Sequence, residues 1–191
     1  DRTDFDLYAT MIPAQEVGGD FYDFFLLDDH HLGFSIGDVA GKGVGAALFM
    51  AVTRTLLRAT ALGGMPPEEC LRRVNHVLFP ETLPRLFVTL VYGILDTRTG
   101  EVRYSIAGHL PPFHRSAHGA VTPVPRTRGV GLCLLADFAY EAHTITLAPG
   151  DALVLYTDGV TEATDAHRQQ FDDERLHACL ADATDESPGG V

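Results

Sequence analysis

Cysteine is sparse in this sequence and never paired. The three present, Cys70, Cys133 and Cys179, are odd in number and widely spaced. No CxxC pair exists, which excludes a zinc ribbon or a disulfide framework and makes a reducing cytoplasm the expected compartment. Positive charge is also scarce: 14 Lys and Arg stand against 26 Asp and Glu, a formal net charge of −12. With no basic block, the field argues against nucleic acid or an anionic membrane as partner. No stretch approaches the roughly 18 uninterrupted apolar residues of a membrane span, and the apolar run over 44–52 is soon broken by Arg54 and Arg58. Repeats and low-complexity tracts are absent. The chain opens on Asp1 with no Met and no signal-like segment, so the expectation is a piece excised from something longer.

What is present suits one globular domain over residues 1–191, with 46% hydrophobic and 21% charged residues. "FDLYATMIPA" (5–14) reads as a strand ended by proline. Residues 18–39 read as two strands joined at Asp28-Asp29-His30-His31. Glycines 41, 43 and 45 then lead into a helix over about 44–62, apolar on most sides and expected to be buried. Pro66-Pro67-Glu68-Glu69 is a helix start, followed by Cys70, Leu71, Val74, Val77 and Leu78 on one face. Strands follow over 85–96 and 101–109, joined by Thr97-Arg98-Thr99-Gly100. A short ribbon, a Gly-rich loop (126–138), two strands within 139–159 and a helix over 171–182 complete the order. Eight or nine strands in hairpin order, with helices inserted as blocks, predict an α+β fold of antiparallel sheets covered by helices and exclude a parallel doubly wound sheet.

Three aspartates recur in one setting: "GGDFYD" (Asp20), "IGDVAG" (Asp38) and "YTDGVTE" (Asp158). Each is read at a strand end beside glycine, where a carboxylate is costly to desolvate unless something positive meets it. Singly, such residues are more simply turn or helix caps. Acids converging from separate strands, with no Cys and no clustered His, suit a hard cation such as Mg²⁺ or Mn²⁺. The Gly-Lys-Gly after Asp38 is no P-loop: Gly37 and Gly41 enclose three residues where four are needed, and Gly43 replaces the hydroxyl residue.

The motifs "PAQEVGGDFYDFF", "IGDVAGKGVGAALFMA", "YSIAGHLPPF" and "LVLYTDGVTEATD", in this order, resemble the bacterial SpoIIE/RsbU-type phosphatases, a branch of the protein phosphatase 2C-like (PPM) family. The resemblance implies a sandwich of two antiparallel β-sheets flanked by helices, with two Mn²⁺ or Mg²⁺ ions at one edge. It makes Asp38 the bridge between the ions, Asp20 and the Val39 carbonyl ligands of one, and Asp158 a ligand of the other. It further implies hydrolysis of phosphoserine or phosphothreonine, typically on a STAS-domain anti-anti-sigma regulator, behind an upstream sensor domain. The family pattern continues to a final strand whose aspartate completes one ion's site. This sequence ends at "ATDESPGGV" instead, so a C-terminally truncated domain lacking that strand, with an unpaired edge open to a homodimer, is the expectation.

Elementary chemistry agrees with the resemblance. Two metals can activate water and neutralise a phosphomonoester with no protein nucleophile, and no G-x-S-x-G elbow or cysteine loop is present. A catalytically weak phosphatase-like module that binds a phosphoprotein is the alternative. Glu16 flanks the first aspartate, and Asp23 points to the opposite strand face from Asp20, a hydrogen-bonding partner at best. Lys42 reads as solvated and His109 as a hydrogen-bonded turn residue. His114 and His118 are not on a helix and form no metal pair. "GGDF" resembles a diguanylate cyclase signature, but a hairpin follows it at once.

Overall fold

Alternating residues from Phe21 to Val39 close into a hairpin in the computed structural model, which describes residues 4–12, 18–81 and 86–183. Strands β1 (Phe21–Leu26) and β2 (His31–Val39) pair antiparallel with Phe21 opposite Gly37. Asp28 builds the turn, its Oδ1 accepting from the backbone N–H groups of His30 (2.8 Å) and His31 (2.9 Å), as an Asx-turn does. Strand β3 (Val88–Asp96) continues from β2, β4 (Glu101–Ala107) from β3, and β7 (His143–Thr146) closes a five-stranded sheet of order β1-β2-β3-β4-β7. A second sheet, β6-β5-β8, comprises β5 (Phe113–Arg115), β6 (Val121–Pro123) and β8 (Ala152–Val154). Every pairing between these strands is antiparallel.

Three apolar layers hold these parts together. Helices α1 (Val44–Ala61) and α2 (Pro67–Leu78) cover the large sheet through Leu57, Leu71, Val74, Leu90 and Tyr92, all fully buried. Each such aliphatic side chain contributes about 1.5–3 kcal/mol by leaving water. Between the sheets lie Val91, Val102, Tyr104, Ile106 and Val124, with Leu153 and Leu155 packed against them. On the far side α4 (Asp172–Asp182) buries Leu176 and Leu180 against Phe113, Val121 and Tyr156. The α+β sandwich is thus the expected one.

Four local expectations need correction. No strand forms over 5–12: Leu7, Tyr8, Met11 and Ile12 are exposed, and without a partner strand an alternating segment has no ladder to join. Residues 13–17, with Glu16 and the start of the first motif, lie outside the described residues, as do 82–85 and the tail from 184. Helix α1 is buried on one face only, through Ala46, Thr53, Leu57 and Ala61, while Val44, Leu48 and Val52 are exposed. Only one side meets the sheet and α2, so an apolar composition all round did not translate into burial all round. Val77 is exposed on α2, and Asn75 is buried in its place. Its amide donates to the carbonyls of Leu135 and Ala136, both at 2.8 Å, and its Oδ1 accepts from the Cys133 N–H at 2.7 Å, pinning the Gly-rich loop. Finally, Asp158 opens a four-residue helix, α3 (Asp158–Thr161), four residues beyond β8.

By length and composition alone α1 passes as a membrane-crossing helix, the one candidate among the described residues. Its two arginines meet a protein partner. Arg54 Nη2 and Arg58 Nη1 reach Asp23 Oδ1 at 3.3 and 3.2 Å, and Asp23 is 6% exposed. Asp23 therefore anchors α1 to β1. The cysteines form no disulfide among the described residues.

Candidate metal centre

The site grows from the ends of β1 and β2. Asp20 immediately precedes β1, and Asp38 is the penultimate residue of β2, opposite Thr89 of β3. The chain must leave β2 sharply. Gly41 (φ 125°) and Gly43 (φ 80°) take the turn in conformations that side chains disfavour, while the Ala40 N–H is fixed on the Phe87 carbonyl at 2.9 Å. Gly19 is required for a different reason. A Cβ there would lie 2.7 Å from the Val39 carbonyl oxygen and 3.2 Å from Asp38 Oδ1. Backbone 19, carbonyl 39 and carboxylate 38 therefore share one small space.

The Asp38 and Asp20 carboxyl groups lie against each other, and Asp158 lies within charge range. Burial first, then the contact and charge of Asp20, then the charge of Asp158, push the Asp38 carboxyl up to about 7. No cationic side chain forms an ion pair with these three acids among the described residues. Asp20 is held from the far side as well: Thr157, buried, donates from Oγ1 to Asp20 Oδ2 at 2.8 Å. One residue earlier, the Tyr156 carbonyl bonds His109 Nε2 at 3.0 Å, and His109 Nδ1 bonds Thr89 Oγ1 at 2.8 Å. His109 is thus hydrogen-bonded, as expected, but bridges two segments of the site in doing so. Thr157 was missed by sequence reasoning. Its only signal was its place beside Asp158.

The structure therefore brings Asp20, Asp38 and the Val39 carbonyl together and leaves Asp158 more exposed at the rim. Among the described residues no three Asp, Glu, His or Cys side chains are gathered closely enough to hold a metal ion as they stand. The donors are nonetheless all oxygen, with two carboxylates in contact and no described cation between them. That chemistry fits a hard divalent cation. Lys42 is exposed, His114 pairs with Asp151 at 2.8 Å, and Asp173 receives the Tyr156 hydroxyl at 3.2 Å. None of the three joins the site.

Two antiparallel sheets between helical layers make up the protein phosphatase 2C-type fold. The solved phosphatase domain of SpoIIE from Bacillus subtilis superposes with a TM-score of 0.79 at 22% identity, over 91% of this chain and 49% of that one. RsbX, crystallised in complex with magnesium, matches with a TM-score of 0.65 at 20% identity, over 91% of this chain and 84% of that one. The family described as Stage II sporulation protein E (SpoIIE) matches residues 28–191. The chain belongs to the SpoIIE family. Protein IcfG of Synechocystis is 33% identical over 94% of this chain and 32% of its own length. The phosphoserine phosphatase RsbU of Bacillus subtilis is 31% identical over 82% of this chain and 47% of its own. The chain thus spans about a third to a half of the length of these curated relatives.

Proposed function

We propose that this chain is a Mn²⁺- or Mg²⁺-dependent protein phosphatase that hydrolyses phosphoserine or phosphothreonine, with a STAS-domain anti-anti-sigma regulator as substrate. The observation that carries the reading is the contact of Asp20 with Asp38, two carboxylates at a sheet edge that no described cationic side chain pairs with. In this reading Asp38, Asp20, the Val39 carbonyl and Asp158 would together hold two divalent ions. When bound, such a pair supplies activation of a water and neutralisation of the phosphoryl oxygens.

The chain's own residues do the rest. Thr157 fixes the orientation of Asp20, and the Gly19 backbone keeps the space beside the Val39 carbonyl open. Cys70 is no candidate for a covalent nucleophile: it is fully buried, and burial pushes its thiol up to about 12. The kinship with a phosphoserine phosphatase supports the substrate class.

The experiment is hydrolysis of p-nitrophenyl phosphate and of a phosphoserine peptide, with Mn²⁺, with Mg²⁺ and with chelator. Metal-dependent turnover of both substrates is expected, and no turnover with either metal would refute the reading. One observation favours a second reading, a phosphoprotein-binding module with weak turnover: the described acids stand as a pair with an exposed third rather than as a closed cage. Tight binding of the phosphopeptide without turnover would select it.

A further inference from the structure

His109 lies just beyond β4 and is 7% exposed. Both ring nitrogens are bonded, and the partners dictate how. The Tyr156 carbonyl can only accept, so Nε2 carries the proton and donates to it at 3.0 Å. In the neutral ring Nδ1 then has a lone pair, which accepts from the Thr89 hydroxyl at 2.8 Å. Burial pushes the imidazole below its ordinary pKa, which favours the neutral ring.

The two partners are not arbitrary. Thr89 is the residue opposite Asp38 across the β2–β3 ladder. Tyr156 is two residues before Asp158, and the residue between them, Thr157, holds Asp20. The imidazole therefore spans from the strand that carries Asp38's neighbour to the short segment that places the other two acids. The Tyr156 side chain is clamped independently, stacked on Phe113 at 5.5 Å with its hydroxyl on Asp173. Its backbone carbonyl is left to His109.

We propose that His109 is a positioning residue that sets where Asp158 and Asp20 stand relative to Asp38, and thereby the cation affinity of the site. The proposal rests on the phosphatase reading and adds a specific device to it. Residues that orient ligands without touching the metal typically change its affinity 10- to 100-fold when lost, and His109 acts at one remove, through Tyr156 and Thr157.

The test is calorimetric Mn²⁺ titration of the 191-residue chain and of His109→Ala, His109→Gln and Thr89→Val, each kept well below its own melting midpoint. His109→Ala should bind Mn²⁺ at least about 10-fold more weakly. His109→Gln keeps an N–H that reaches the Tyr156 carbonyl and should recover most of that loss, with Thr89→Val between the two. In hydrolysis, His109→Ala should need more Mn²⁺ for half-maximal rate while recovering turnover at saturation. Nitrogen-15 spectra of the metal-free protein should show His109 protonated on Nε2 alone, a readout that needs neither metal nor activity.

Wild-type Mn²⁺ affinity in folded His109→Ala would overturn the proposal. So would a His109→Gln variant no better than alanine, or a proton found on Nδ1. Should alanine fail to fold, glutamine and Thr89→Val still decide it: wild-type affinity in Thr89→Val together with alanine-like instability in His109→Gln counts against positioning. A wild-type chain that neither binds Mn²⁺ nor hydrolyses phosphate is a separate result, which removes the phosphatase reading and this proposal with it.

Discussion

Replacing Gly19 with alanine adds a single methyl group, and the structure sets its consequence. The new Cβ falls 2.7 Å from the Val39 carbonyl oxygen and 3.2 Å from both Asp38 Oδ1 and Val39 Cβ. Real Cβ contacts do not occur below 3.0 Å, so something must move by at least the difference of 0.3 Å. Val39 cannot give way, since it lies in a strand paired on both sides and is 1% exposed. The displacement therefore falls on the Gly19–Asp20 backbone or on the Asp38 carboxylate, both part of the proposed site.

Constellations of this kind tolerate about 0.5 Å, and a misplacement of about 1 Å can cost 100-fold in rate. Gly19→Ala should accordingly lose about 10- to 100-fold in Mn²⁺-dependent hydrolysis of p-nitrophenyl phosphate. Gly19 does not have a left-handed φ, so alanine adds no φ penalty there, and the melting midpoint in chelator should change by only a few degrees, since ~1 kcal/mol is worth about 2–4 °C at this size. Titrating rate against Mn²⁺ alongside a chelated melt separates the two effects. Wild-type turnover and Mn²⁺ dependence in Gly19→Ala would show that the Val39 carbonyl and Asp38 do not work where the structure places them.

Asp38→Asn should lose about 100-fold or more of metal-dependent hydrolysis. Because the Asp38 carboxyl is pushed up to about 7 by burial and by its acidic neighbours, its ionisation opposes folding above its ordinary pKa, so the chelated melt of Asp38→Asn at pH 8 should match or exceed wild type. A large drop in that melt would contradict the electrostatic reading. Leu57→Ala removes a fully buried side chain from the layer between α1, α2 and the large sheet. It should cost about 2–5 kcal/mol in denaturant unfolding, and a loss below 1 kcal/mol would show that layer to be loosely packed. Asp96 is held down at about 2, first by the Arg98 guanidinium bonded to it and then by the Arg98 N–H. A depressed acid contributes stability that is full above its ordinary pKa of 3.8 and lost as pH falls towards 2. The difference in melting midpoint between wild type and Asp96→Asn should therefore be constant above pH 5, shrink steeply as pH falls through 4 to 2 and vanish only below the folded pKa of about 2. An unchanged difference across that window refutes the pairing.

What the sequence determined by itself was local or periodic. The β1–β2 and β3–β4 hairpins were legible because strand alternation has a period of two and Asp28 and Gly100 mark the turns within a few residues. Asp20 and Asp38 were legible because an acid beside glycine at a strand end is conspicuous, and the ordered motifs placed the chain in its family. Burial was not legible in the same way. The apolar residues of α1 look alike in one dimension, and only the sheet and α2 decide that Leu57 is buried while Leu48 and Val52 face outward. The 5–12 segment has strand-like alternation, but a strand exists only where another supplies its ladder. The bracing of the site was decided by tertiary structure alone: Asp23 meets arginines 31 and 35 residues away, Thr157 meets Asp20 across 137, and His109 meets Tyr156 across 47. Hydrogen bonds and ion pairs act over a few ångströms of space, and sequence carries no distance of that kind between residues so far apart along the chain.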